Sequence, residues 1–169
     1  MDKYGCRVEW TRDGAVFTDR KYSRAHTWHF DGGAVVRGSS SPHSVRLPYS
    51  DPSAVDPEEA LVAAVSSCHM LWFLSLAAEQ GCVIDSYVDA AEARMGRFED
   101  GREGITEVVL RPQVVVAVGA AGRLDDAVIE SLHQAAHAHC QVGHSIRGAV
   151  RVEGGWRLAG VAGSGGMSR

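Results

Sequence analysis

The sequence predicts an α+β protein in which a long central helix and a second helix pack on antiparallel sheets. Three observations support this class: β-rich segments separated by turn residues at the front, one long apolar helix, and two strands followed by a second helix. The chain has 169 residues and a net charge of −4. This length suits one well-buried domain, and the charge gives no reason to expect a nucleic acid or an anionic membrane as partner.

The front of the chain reads as four strands, because Val, Phe, Trp and Tyr are enriched there between turn residues. The predicted strands cover residues 4–10, 15–22, 26–31 and 34–39. A loop with four prolines follows, over residues 39–57.

A long helix is predicted from residue 57 to about residue 80. Asp56 suits the N-cap, Pro57 suits the first helical position, and Gly81 suits the stop. A helix of ~24 residues is ~36 Å long, which exceeds what one small sheet covers, so we expect a second subunit to complete its burial. The helix is apolar enough to raise the question of a membrane span. Its serines and histidine, and its lack of Lys and Arg anchors, favour the central helix of a soluble core.

The rest of the chain reads as two strand segments, a helix and a last strand. These elements are predicted at residues 83–95, 105–118, 124–140 and 146–153. We therefore expect a single domain over residues 1–153 and a Gly-rich tail over residues 154–169.

The N-terminus indicates a cytoplasmic protein, because its first ten residues carry mixed charges and no apolar run. Thiols are kept reduced in that compartment, so static disulfides are not expected. The four cysteines are Cys6, Cys68, Cys82 and Cys140.

Cys68 and Cys140 are the candidates for thiol chemistry. Cys68 lies about three turns into the long helix, where the helix dipole no longer acts, so a reactive thiolate needs a cation from elsewhere. Taken alone, Cys68 reads more simply as a small core residue. Cys140 closes the second helix, so the two thiols could meet as an attacking and a resolving pair, or never touch.

Histidines surround Cys140 and raise the question of a metal site. His133 and His137 are four residues apart on one helical face, as two zinc ligands would be, and Cys140 could be a third. The pattern is weak, because no Glu follows the first His and no CxxC is present. Solvated or core-edge histidines are the alternative, and we predict neither a metal nor another cofactor.

Two stretches together resemble the OsmC/Ohr family, the osmotically inducible and organic hydroperoxide resistance proteins. They are DPEEALVAAVSSCHM, residues 56–70, and HQAAHAHCQVGHSI, residues 133–146. The most specific part is a helix that opens with Pro-Glu and carries Cys68 ten residues after Glu58. The SSSP, DPEEAL and SSCHM details resemble a branch of the family distinct from its best-known members. Gln-Val-Gly-His-Ser follows Cys140 where familiar members have Pro and soon a Ser, so the local turn is expected to differ.

The resemblance implies an OsmC-like fold in an intertwined homodimer, with each active site made by both subunits. It implies an antioxidant enzyme that reduces organic hydroperoxides to alcohols. Cys68 would be the peroxidatic cysteine and Cys140 the resolving one. Glu58 would hold the active-site Arg, for which Arg24 is the best match and Arg20 the second.

The implied mechanism has three parts. Arg24, fixed by a bidentate ion pair with Glu58, stabilises the Cys68 thiolate. The thiolate becomes a sulfenic acid, and Cys140 converts it to a disulfide. A dithiol reductant, by resemblance of the lipoyl type, then restores both thiols.

Two other functions stay open. One is a non-catalytic protein of the same fold that binds an apolar ligand, with Cys68 as a core thiol. The other is a metal-binding protein that uses His133, His137 and Cys140.

Overall fold

The computed structural model describes residues 2–118 and 125–160. Contacts divide the chain into two compact units, Met1–Leu61 and Val62–Arg169, where the sequence predicts a single domain over residues 1–153.

The first unit is built on an antiparallel sheet in the order β1-β2-β3. Its strands are Cys6–Glu9, His26–Phe30 and Val35–Gly38. Trp28 of β2 is buried and lies opposite Val8 on one side and Val36 on the other. These cross-strand pairs explain why the aromatic and β-branched residues form strands here.

The predicted strand over residues 15–22 is wrong, because this segment forms turns. Arg20 has a φ of 63°, which an extended strand does not allow. The aromatic residues contact one another instead: ring centroids are 4.7 Å apart for Phe17 and Tyr22, and 5.4 Å apart for Trp10 and Tyr22. Residues that favour strands thus pack as an aromatic cluster in a loop.

The long helix, α1, covers Pro57–Glu79 and begins and ends as the sequence predicts. Asp56 accepts a hydrogen bond from the Glu59 backbone N–H at 2.8 Å, and the Glu59 carboxylate accepts one from the Asp56 N–H at 3.0 Å. This reciprocal capping box fixes the start of the helix. Gly81, with a φ of 74°, follows its end.

Only one seam of α1 is buried, and its members are four residues apart: Val65, His69, Phe73 and Ala77. Within one chain, the other residues of α1 are half-buried or exposed. Leu71, on another face, is 63% exposed. By length and composition α1 could cross a membrane, a test that the core helix of a soluble protein also passes.

The second unit contains two three-stranded sheets, β4-β7-β9 and β5-β6-β8. In each sheet the first and middle strands in this order are antiparallel, and the last strand, β9 or β8, is parallel to the middle one. The predicted long strands each divide in two at the junction between the sheets. In chain order, strands β4 to β9 cover Ile84–Asp89, Glu92–Arg97, Glu103–Leu110, Pro112–Val116, Ala149–Val152 and Gly155–Leu158.

The Gly-rich end of the chain starts inside a sheet, so the tail predicted from residue 154 begins too early. Gly155–Leu158 forms β9, in which Trp156 lies opposite Val114 of β7. A Cβ on Gly154 would lie 2.7 Å from the Pro112 side chain, so glycine permits this close approach. The remaining tail, residues 161–169, lies outside the described residues.

The second helix, α2, covers Asp126–His139, and its predicted first residue, 124, lies outside the described residues. Asp125 caps it by accepting a hydrogen bond from the Val128 N–H. A short helix, α3, covers Gln141–His144. Helices α1 and α2 share a buried core with the sheet that contains β7. Its buried members are Phe73, Ala77, Cys82, Val114, Val116, Ile129, Leu132 and Ala136.

Candidate active site

The structure brings Cys68 and Cys140 together where α1 meets the end of α2. Cys140 is 1% exposed, and its Sγ lies 3.9 Å from the backbone oxygen of Val65 on α1. The Gly143 N–H donates to the same sulfur at 3.3 Å. The Cys68 side chain lies close enough to the Cys140 thiol to raise its pKa, and both cysteines are free. The two thiols are therefore neighbours, whereas the sequence left open whether they meet.

The environments of the two thiols differ. Burial, and then the hydrogen bond with Cys68, raise the pKa of the Cys140 thiol to about 11, against a smaller opposing effect of the Gly143 N–H. At neutral pH Cys140 is therefore a thiol. Cys68 is only half-buried, so it is the thiol that a substrate reaches more readily.

Polar contacts anchor α1 beside Cys68. The Ser66 hydroxyl donates to Asp89 at 2.5 Å, and the other oxygen of Asp89 accepts from the Arg111 backbone N–H at 2.6 Å. Arg111 lies between β6 and β7, where the two sheets adjoin. The carboxylate of Asp89 therefore connects the helix turn that carries Cys68 to the sheet junction.

Arg24 and Glu58 lie in the first unit, and both line a pocket of about 460 Å³. The Arg24 guanidinium donates to the backbone oxygen of Arg20 at 2.9 Å and to that of Tyr22, and lies 3.9 Å from the centre of the Tyr22 ring. Among the described residues no ion pair joins Arg24 to Glu58, so the predicted bidentate pair is not formed. Arg20, the second match for the active-site Arg, contributes only its carbonyl to this arrangement.

A buried histidine pair is the feature that the sequence did not predict. The Nε2 atom of His69 lies 3.1 Å from the Nδ1 atom of His133, and the His133 ring stacks on Phe73 with centroids 4.4 Å apart. Burial lowers the pKa of both imidazoles to about 4, and nearby His137 adds to the effect on His69. The spacing of His69, four residues from both Val65 and Phe73, was the available sign that it belongs to the buried seam.

The metal-binding alternative finds no support in this geometry. Within residues 2–118 and 125–160, no group of three or more His, Cys, Asp or Glu side chains is arranged to hold a metal ion. Within that part of the chain, His133, His137 and Cys140 are therefore not grouped as a metal site.

The sequence profile of the OsmC family, described as OsmC-like protein, matches residues 50–154. The chain belongs to the OsmC family. No curated protein sequence matches this OsmC-family chain. An OsmC-like protein of unknown function from Vibrio cholerae is 45% identical, with a TM-score of 0.87 over 91% of this chain and 99% of that chain.

More distant OsmC-fold structures carry a functional description. An organic hydroperoxide resistance protein from Elizabethkingia anophelis is 16% identical, with a TM-score of 0.65 over 94% of this chain and 97% of that chain. One from Bacillus subtilis is 19% identical, with a TM-score of 0.55 over 93% of this chain and 98% of that chain. These likenesses confirm the predicted α+β, OsmC-like fold.

Proposed function

We propose that this protein is a thiol-dependent peroxidase that reduces organic hydroperoxides to alcohols through Cys68 and Cys140. The observation that carries the proposal is that the half-buried Cys68 thiol lies beside the buried Cys140 thiol. Family membership and the two fold relatives described as organic hydroperoxide resistance proteins support the proposed substrate class.

The reaction divides between the two thiols according to their exposure. The Cys68 thiolate attacks one oxygen of the peroxide, the O–O bond breaks, and the departing alkoxide takes a proton to become the alcohol. Cys68 is then a sulfenic acid. Cys140 attacks its sulfur, the S–S bond forms, and the thiol proton leaves with the hydroxyl group as water.

A dithiol reductant completes the cycle. One of its thiolates attacks the disulfide, and its second thiol releases the protein as two free thiols while the reductant becomes a disulfide. We propose a lipoyl-type dithiol as this partner.

Arg24 and Glu58 are the proposed electrostatic partners of the Cys68 thiolate. Both side chains are half-buried and line one pocket, which limits their screening by water. In this proposal Arg24 exchanges its bonds to backbone carbonyls for the Glu58 carboxylate when it acts. An arginine keeps its charge under such partial desolvation, which suits it to this role.

We also propose that the protein works as a cytoplasmic homodimer. A second copy would cover apolar faces of α1 that one chain leaves open, of which Leu71 is the clearest member.

Two cysteine substitutions test the peroxidase. Reduced Cys68→Ser should not consume cumene hydroperoxide faster than a simple exposed thiol does. Reduced Cys140→Ser should consume one equivalent at the wild-type rate and accumulate a sulfenic acid on Cys68, detectable with dimedone. Turnover by Cys68→Ser at the wild-type rate would exclude the proposal.

An aromatic pocket favours a second candidate function, the binding of an apolar ligand. The pocket of about 460 Å³ is lined by Trp10, Phe17 and Tyr22 beside Arg24 and Glu58. In a pure binding protein, Cys68→Ser would leave binding of 2-phenyl-2-propanol unchanged, and the wild type would show no peroxide consumption. Tryptophan fluorescence during a titration with this alcohol measures the binding.

A further inference from the structure

Three imidazoles with a buried, unpartnered ring nitrogen lie in or beside the α1–α2 interface of the described chain, and the proposed mechanism uses none of them. They belong to His69, His133 and His137. Each has a buried ring nitrogen without a hydrogen-bond partner in the described part of the chain: Nδ1 of His69, Nε2 of His133 and Nδ1 of His137. Burying such atoms unpaired costs free energy that aliphatic side chains in the same seam would not cost.

The one hydrogen bond within this set lies next to the cysteine pair. Along the interface, Cys140 contacts Val65, and one turn further along α1 His69 meets His133 at 3.1 Å. Phe73 follows, against the face of His133. Residue numbers in these contacts rise along α1 while they fall along α2, as expected for antiparallel helices. The histidine pair therefore lies between the thiols and the apolar core.

A hydrogen bond restrains the helices differently from apolar contacts. It requires a short distance and a near-linear arrangement, whereas apolar packing tolerates sliding and rotation. His69 is completely buried and His133 is only 6% exposed, so water does not compete for the hydrogen bond between them.

We propose that the His69–His133 hydrogen bond positions Cys68 and Cys140 for disulfide formation by fixing the distance and rotation of α1 against α2. The inference rests on the proposed function, because disulfide formation is its second step. Both histidines are positioning residues: they act through the helices that carry the thiols.

Substitutions at His133 test the role of the bond. His133→Asn places an amide nitrogen or oxygen near the position of Nδ1, so it can keep a bond to His69. His133→Gln carries the same amide one methylene further out, and His133→Leu removes it. His139→Asn is the control for an imidazole contact without the hydrogen bond, because the His139 ring of the same helix stacks on Trp72 of α1, with centroids 4.8 Å apart.

The measurement is the equilibrium constant of the Cys68–Cys140 disulfide against reduced and oxidised glutathione. We expect His133→Leu and His133→Gln to lower this constant by about tenfold, in line with the loss of one buried hydrogen bond. His133→Asn and His139→Asn should stay within about twofold of wild type on the same scale. If His133→Leu does not fold, the comparison between the Asn and Gln variants decides.

A second readout separates positioning from general damage to the fold. In His133→Gln, Cys68 should be oxidised by cumene hydroperoxide at the wild-type rate, while conversion of its sulfenic acid to the disulfide slows by about tenfold. Equal slowing of both steps, or equal effects of Asn and Gln, would overturn the inference. The glutathione equilibrium needs no peroxide, so it decides this inference even if the wild type proves not to be a peroxidase.

Discussion

At the residue scale, burial gives Cys68 and Cys140 different properties. Cys140 is enclosed by Val65, Gly143 and Cys68, and burial raises the pKa of its thiol to about 11. Cys68 is half-buried, and Ser66, two residues earlier in α1, donates a hydrogen bond to Asp89. Of these two cysteines, Cys68 is therefore the one that a reagent reaches more readily.

Alkylation provides the first prediction. With iodoacetamide at neutral pH, Cys68 of the reduced protein should react at least about tenfold faster than Cys140, because the Cys140 thiol is both covered and protonated. Peptide mass spectrometry at several reaction times gives both rates. Buried Cys82 is the internal control for a slow thiol. Equal rates at Cys68 and Cys140 would contradict the assigned roles.

A second prediction distinguishes the two arginines. Arg24→Lys keeps the charge but loses the planar fork that pairs with a carboxylate, so oxidation of Cys68 by cumene hydroperoxide should slow by about tenfold or more. Arg20→Lys, the matched control, should leave the rate unchanged, because only the Arg20 backbone contributes to the arrangement around Arg24. Stopped-flow measurement of thiol loss gives both rates. The reverse ranking would transfer the role to Arg20.

At the element scale, the α1–α2 interface combines an apolar core with a buried polar layer. The pKa of His69 is lowered to about 4 by burial and by His137, with Asp89 acting in the opposite direction. Burial and His69 lower the pKa of His133 to about 4 as well. The folded interface therefore holds both imidazoles in their neutral form at pH 7.

The third prediction concerns pH and follows from the direction of these shifts. The unfolded chain binds protons at these histidines near pH 6.5, whereas the folded chain binds them only near pH 4. Their contribution to stability is therefore fully present above pH 6.5 and is lost as the pH falls towards 4. We expect each of the two histidines to contribute a loss on the order of 3 kcal/mol in the free energy of unfolding across this window.

Urea unfolding at about pH 7 and about pH 5 measures the effect. His133→Asn removes one of the two titrating groups, so its stability should depend less steeply on pH than that of the wild type. Since carboxylates are the same in both proteins, the difference between them isolates the histidine contribution. Identical pH dependences would contradict the prediction.

At the scale of the whole molecule, the sequence predicts most elements where their signals are local. Asp56 and Pro57 mark the start of α1, and Gly81 marks its end, because caps and stops depend on a few neighbouring residues. The α+β class and the family follow from the same stretches. The spacing of Cys68 and Cys140 does not predict their contact, which depends on how α1 packs against α2.

The differences arise where side-chain packing or strand pairing overrides the preference of the local sequence. Residues 15–22 have strand-forming side chains, but their aromatic rings pack on one another and the backbone turns. Gly155–Leu158 has the composition of a tail, yet it pairs with β7. His133 reads as a surface or metal-binding residue until its partner His69, 64 residues away, is known.

The fourth prediction is the oligomeric state. Because α1 leaves apolar side chains such as Leu71 exposed, the wild type should be a dimer, and Leu71→Glu should shift it to a monomer. Val88→Glu is the matched control, since Val88 is equally exposed but lies on β4. Analytical ultracentrifugation of the three proteins checks this. A monomeric wild type would remove the proposed role of a second copy.

The central claim is that Cys68 and Cys140 form a disulfide in response to an organic hydroperoxide. The most direct test is to treat the fully reduced protein with one equivalent of cumene hydroperoxide and analyse its peptides without reduction. We predict rapid loss of two thiols and a peptide pair linked through Cys68 and Cys140. An unchanged thiol count, or oxidation spread over all four cysteines at the rate of exposed Cys6, would contradict the claim.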